Sequence, residues 1–122
     1  MANNASVAVL VRVRQTSVLL LGDLEPAAQR ELTGQLDRFG VDTIDIVKVA
    51  HHGSRFQHQP LYEQLDPRIA LVSAGADNDY GHPAPGLVAD LAADGAVIAR
   101  TDTDGMTLVG AQGEQLWVHR SS

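Results

Sequence analysis

The sequence predicts an α/β domain, and three observations point there. Apolar residues recur at two alternating periods along the chain. Polar clusters fall where the apolar runs stop. The 122 residues are 44% apolar, enough for a single core.

Residues 6–13 read as a valine-rich strand, with Arg12 and Arg14 opposite Val11 and Val13. Gln15-Thr16 is a short turn into a second strand, 17–21, so the two form a hairpin. Leu19 to Leu21 is apolar on both faces, which predicts cover on both. Leu24, Ala28, Leu32, Leu36 and Phe39 fall at helical spacing, predicting an amphipathic helix over 26–39 that Gly40 ends. A third strand, 43–50, stops at His51-His52-Gly53-Ser54. A short helix over 61–65 is closed by Pro67. A fourth strand, 69–73, opens into a polar loop over 75–85, and 87–93 form a second amphipathic helix. Segments 97–100, 106–109 and 115–119 make a C-terminal strand group, with Asp104-Gly105 as a hairpin turn between two of them. No repeat or internal boundary appears, so 1–122 read as one domain.

Composition narrows the chemistry. Fifteen acidic residues against nine basic ones give a net charge of -6, which excludes a histone-like, cationic mode of nucleic-acid binding. With no cysteine, disulfide scaffolds, Cys-zinc folds, iron-sulfur clusters and thiol catalysis are excluded. The longest apolar run is far too short to span a bilayer, and the first residues do not read as a signal peptide. There is no G-x-S-x-G elbow, no G-x-G-x-x-G or G-K-[ST] loop, and no interleaved Arg and aromatic stripe.

Three polar clusters stand at predicted strand ends, where ligand and catalytic groups gather in open α/β sheets: Gly22-Asp23, His51-His52-Gly53-Ser54, and Asp77 to His82. Asp23 reads either as a cap for the following helix or as a carboxylate that can hold cations. A strand ending in His51 and His52 points them to opposite faces, one into a site and one behind it or toward substrate. Ser54 near His52 keeps a hydroxyl nucleophile formally open. His82 is held in the rigid Tyr80-Gly81-His82-Pro83 loop. Asp77 and Asp79 read as a solvated turn, because no glutamate completes a calcium loop. Asp102 and Asp104 serve a hairpin turn, and His58 and His119 are surface residues.

Taken in order, five segments resemble one family: NNASV at 3–7, LLLGDLEP at 19–26, KVAHHGS at 48–54, GADNDYGHP at 75–83 and RTDTDG at 100–105. The family is the C-terminal metallo-β-lactamase-like domain of the DNA-internalisation competence (ComEC-type) channel proteins, and the likeness runs over about residues 3–109. It implies the C-terminal half of an αββα sandwich, a mixed sheet flanked by two helices. By motif, Asp23 matches the metal-bridging aspartate and one of His51 and His52 matches the last histidine ligand. His51 is the preferred ligand, which leaves His52 facing substrate. His82 matches a loop histidine suited to leaving-group protonation or phosphate binding.

The resemblance has gaps. The family's first metal motif, H-x-H-x-D-H, is not in the chain, and Ala84 stands where many relatives have histidine. The expectation is therefore half of a zinc- or manganese-dependent phosphodiester hydrolase domain, with Met1-Ala2 an added start. This piece alone would hold no metal stably and have little activity. The parent implied is an integral protein of the bacterial cell membrane that handles DNA, with this soluble domain on the extracytoplasmic face. The partners implied are the missing N-terminal half, the channel, and a second copy of the piece. Two other readings stand beside it: a metal-free structural module of the channel, and a small stand-alone hydrolase using Asp23, His51 and His82.

Overall fold

The computed structural model describes residues 7–75 and 82–121. Strands β1 (Val9–Val13), β2 (Thr16–Leu20), β3 (Ile46–Lys48), β4 (Ile69–Val72) and β5 (Val97–Arg100) lie in that order in one mixed sheet. β1 pairs antiparallel with β2, and the remaining pairs are parallel. The crossovers between the parallel strands are helices α1 (Pro26–Arg38), α2 (Gln59–Leu65) and α3 (Pro85–Ala93). One core joins Leu36 of α1, Leu61 and Leu65 of α2 and Leu87 and Leu91 of α3 to Leu19, Val47 and Ala70 of the sheet. Three successive crossovers of one hand put all three helices on one face. Each fully buried leucine in that layer contributes about 1.5–3 kcal/mol by leaving water.

The opposite face carries the row Val18, Ile46, Ile69 and Val97, in register across β2 to β5. A one-turn helix α4 (Thr101–Asp104) follows β5, and strands β6 (Thr107–Gln112) and β7 (Gln115–Arg120) form a separate antiparallel hairpin. Grooves between hairpin and sheet are lined by Val18, Ile46 and Val109 on one side, and by Ile69, Val97, Leu116 and Val118 on the other. The hairpin is pinned by polar contacts. Arg68 donates to Glu114 O at 2.8 Å, and Arg120 donates to Ile98 O at 2.9 Å. Arg120 also pairs with Asp104 at 3.1 Å. Among the described residues, no helix is long and apolar enough to cross a membrane.

Several expectations are corrected. The third strand ends at Lys48 rather than at residue 50, because the chain turns into a 3-10 segment, Ala50–Gly53. Leu20 is 39% exposed while Leu19 and Leu21 are buried, so the run is covered on one face only. Every residue of β1 is exposed, and Arg14 sits in the turn with a left-handed backbone rather than in the strand. The C-terminal hairpin turns at Gly113-Glu114, not at Asp104-Gly105. Asp104 instead accepts the Arg100 N–H at 2.9 Å, and Asp102 takes the Arg100 guanidinium through two hydrogen bonds. The short helix expected over 61–65 starts at Gln59 and joins the other two, so three helices cover the sheet.

Two outcomes follow for the hairpin, and the chain's one tryptophan reports both. A Cβ at Gly110 would lie 1.8 Å from the ring of Trp117, its cross-strand partner. That ring is 54% exposed and can swing away. Gly110→Ala should shift the tryptophan emission yet cost under about 1 kcal/mol in thermal melts; unchanged emission would contradict the register. The Asp104 carboxyl is held below its ordinary 3.8, chiefly by the Arg100 N–H and further by Arg120. A depressed folded value means the contact stabilises above the ordinary carboxylate range and fades as pH falls through the folded value. Acid titration below about pH 4 should therefore alter the Trp117 signal. Asp104→Asn should flatten that change.

Candidate metal centre

The site is built where β2, β3 and β4 end at one rim of the sheet. After β2, Gly22 adopts φ 56° and its carbonyl accepts the His51 N–H at 2.8 Å. That bond ties the Asp23 turn to the histidine pair. After β3, His51 and His52 both take left-handed backbone, at φ 53° and 55°. Such conformations cost about 1–2 kcal/mol per non-glycine residue. Their effect is to turn both rings to the same side, so the expected placement on opposite faces does not hold. Asp23, His51, His52 and His82 line one cleft of about 790 Å³, together with Arg55 and Phe56.

Asp23 is not the helix cap. The N-cap of α1 is Glu25, which makes no side-chain capping bond. Asp23 Oδ1 instead lies 3.7 Å from His52 Nε2. The other ring nitrogen, His52 Nδ1, is 2.7 Å from the Ser73 carbonyl oxygen at the end of β4. A carbonyl only accepts, so Nδ1 carries the proton. Nε2 is then either protonated or presents a lone pair toward a carboxylate. The pair is more than half exposed, and the gap between the two side chains is one that a cation or a hydrogen-bond donor can bridge. An imidazole anchored at Nδ1 by a backbone carbonyl is also the arrangement that orients metal-ligating histidines.

The His51 and His82 rings stand 5.8 Å apart, tilted at 57°. Desolvation lowers the His82 pKa, and the nearby His51 and His52 lower it further. The His82 ring is therefore biased toward its neutral form, in which one nitrogen carries a lone pair. Lys48 is half-buried at the end of β3; desolvation holds its amine below the ordinary value and the Asp23 charge partly opposes this. Among the described residues, no group of three or more His, Asp or Glu converges to hold a metal ion. The donor types and the anchored His52 ring fit part of a metal site, with Asp23 and His52 as the pair that meets.

Ser54 is buried, and its hydroxyl accepts the Phe56 N–H at 3.1 Å, so it serves the turn. His58 is partly buried and caps α2 by position, while His119 is exposed on β7. Asp77 and Asp79 lie outside the described residues. The sequence reading missed Arg55, Phe56 and the Ser73 carbonyl. Arg55 stacks 4.7 Å over the Phe56 ring at the cleft mouth, directly after the histidine motif. The Ser73 carbonyl, a backbone group, left no signal in residue type.

Gly53 joins the two histidine segments. It sits at φ 80°, and an added Cβ would come within 2.6 Å of Pro83 and 3.1 Å of Val72. Its carbonyl accepts the Ala84 N–H at 2.8 Å, which draws the His82 loop against the His51 turn. Gly53→Ala should cost roughly 1–3 kcal/mol in denaturant titrations. It should also weaken the contact between the His51 and His82 rings, read as loss of their nuclear Overhauser effect. A variant as stable as the parent chain, with that effect intact, would contradict this account.

No family model matches the chain. Among curated proteins, it is similar to ComE operon protein 3 of Bacillus subtilis (strain 168), with 33% identity over 104 residues. The match takes in 84% of this chain and spans 13% of the length of that relative.

Proposed function

We propose that this chain is the C-terminal part of a metal-dependent phosphodiester hydrolase domain in a DNA-uptake competence protein. The observation that carries the reading is the Asp23–His52 pair, 3.7 Å apart with the imidazole anchored from behind by Ser73 O. The likeness to ComE operon protein 3 and the ordered motifs support the competence assignment. The mixed sheet, with helices on one face and chemistry at one rim, is compatible with half of an αββα sandwich.

In this reading Asp23 and His52 hold zinc or manganese. His52 suits the ligand role better than His51, which was favoured from sequence, because its Nε2 is the nitrogen aimed at the carboxylate. When bound, the cation supplies Lewis acidity toward water and phosphoryl oxygens. His51 and His82 then stand side by side, facing substrate. His82, biased toward the neutral form, can take a proton and later return it to a departing alkoxide. Arg55 at the cleft mouth gives an acidic chain one cation beside the site for a phosphate. The remaining ligands come from the rest of the parent domain, and the exposed apolar residues of β1, Val9, Leu10, Val11 and Val13, suit packing against it or a second copy.

Titration calorimetry with Zn2+ on a protein carrying the whole domain tests this. Asp23→Ala and His52→Ala should each weaken binding by at least about tenfold, since losing even an outer-shell partner costs that much. Mn2+- or Zn2+-dependent cleavage of DNA should fall by about 100-fold or more in the same variants. Zn2+ affinity indifferent to both substitutions would refute the reading. No metal binding by the whole domain would favour a structural module instead.

A further inference from the structure

We propose that Gln57 is the positioning residue of the cleft, holding the two histidines and Asp23 in place through a buried side-chain network with Gln29 and Tyr62. The proposal rests on the cleft being a functional site, as read above. Gln57 Nε2 donates to Ala50 O at 3.0 Å and to Ser54 O at 2.9 Å, the carbonyls on either side of the His51-His52-Gly53 turn. Gln57 Oε1 accepts from the Tyr62 hydroxyl at 2.7 Å and from Gln29 Nε2 at 2.9 Å. The Tyr62 oxygen in turn accepts the Ala50 N–H at 3.2 Å. Gln29 completes the set, donating to Leu24 O at 2.8 Å and accepting the His58 N–H at 2.9 Å.

The direction of every bond is fixed. Two backbone carbonyls can only accept, so the Gln57 amide has one orientation, and its oxygen must then face two donors. Both N–H groups and both lone pairs of that amide are used. Burial pushes the Tyr62 phenol far above its ordinary range, so it remains a donor. Gln29 is fully buried on α1, where an unpartnered amide would be strongly disfavoured.

The network therefore grips both halves of the cleft. One end holds Ala50 and Ser54, between which two histidines sit in backbone they would not otherwise keep. The other end holds the Leu24 carbonyl, next to Asp23. Gln57 is the hub, because among the described residues it alone bonds the histidine turn, α1 through Gln29 and α2 through Tyr62.

The test uses the 122-residue chain and Gln57→Glu, which keeps shape and acceptors but replaces both N–H donors with oxygen. The expected result is loss of the single Nδ1–H tautomer of His52 in imidazole proton–nitrogen spectra. The His51 and Ser54 amides should exchange at least about tenfold faster, with amides of β3 and β4 unchanged. Tyr62→Phe removes only the hydroxyl, should show the same pattern at smaller amplitude, and serves if Gln57→Glu does not fold. A folded variant with the His52 tautomer and both exchange rates intact would overturn the proposal. Failure of the metal reading would appear separately, as Zn2+ binding by the whole domain that ignores Asp23 and His52.

Discussion

Two consecutive non-glycine residues in left-handed backbone must be held there by their surroundings, and in this chain those surroundings are most of the domain. The His51 N–H is fixed to Gly22 at the end of β2, and the Ser54 N–H returns to the His51 carbonyl. Gly53 lets the His82 loop close against the turn, since any side chain there would strike Pro83. Ser73 at the end of β4 takes the back of the His52 ring. The parallel sheet sets these strand ends side by side, the helix layer supplies Gln29 and Tyr62 from beneath, and the loop before α2 supplies Gln57. The strain of the turn is thus borne by a rigid core, the usual arrangement where a fold stores conformation at a functional rim.

That arrangement gives the histidines unequal environments. His52 is anchored at one nitrogen and faces a carboxylate with the other, while His51 stands against His82. Two neighbouring residues of one type thereby differ in their surroundings, which is the basis for the different tasks proposed for them. The net charge of -6 fits this division, because phosphate would approach such a chain only where cations concentrate. Arg55 and the Asp23–His52 pair lie in the same cleft.

Much of this was legible in the residues. Periodicity located β2, α1, β4, α3 and β5 to within a few positions, because each has one strongly buried side. The hairpin turn was misassigned because Asp104-Gly105 has the right residue types, yet Asp104 is drawn instead to Arg100 and Arg120, which only the fold brings near it. Leu20 reads as buried, but it is 39% exposed, while Ile46 and Ile69 on the same face are buried. Asp23, His51, His52 and His82 were chosen by motif and all reach one cleft. Their relative placement could not be read, because strand alternation fails once the backbone turns left-handed. Gln29 and Gln57 were invisible for another reason: as single polar residues among others, they declare themselves only when the carbonyls they satisfy are known.

The central claim is that the Asp23–His52 pair is a place for a cation. Imidazole nitrogen-15 spectra of a protein carrying the whole domain, recorded while Zn2+ is added, test it most directly. The account predicts that the His52 Nε2 resonance moves on Zn2+ addition while its Nδ1–H signal persists, and that Asp23→Asn abolishes the movement. Zn2+ that binds with the His52 Nε2 resonance unmoved would contradict it.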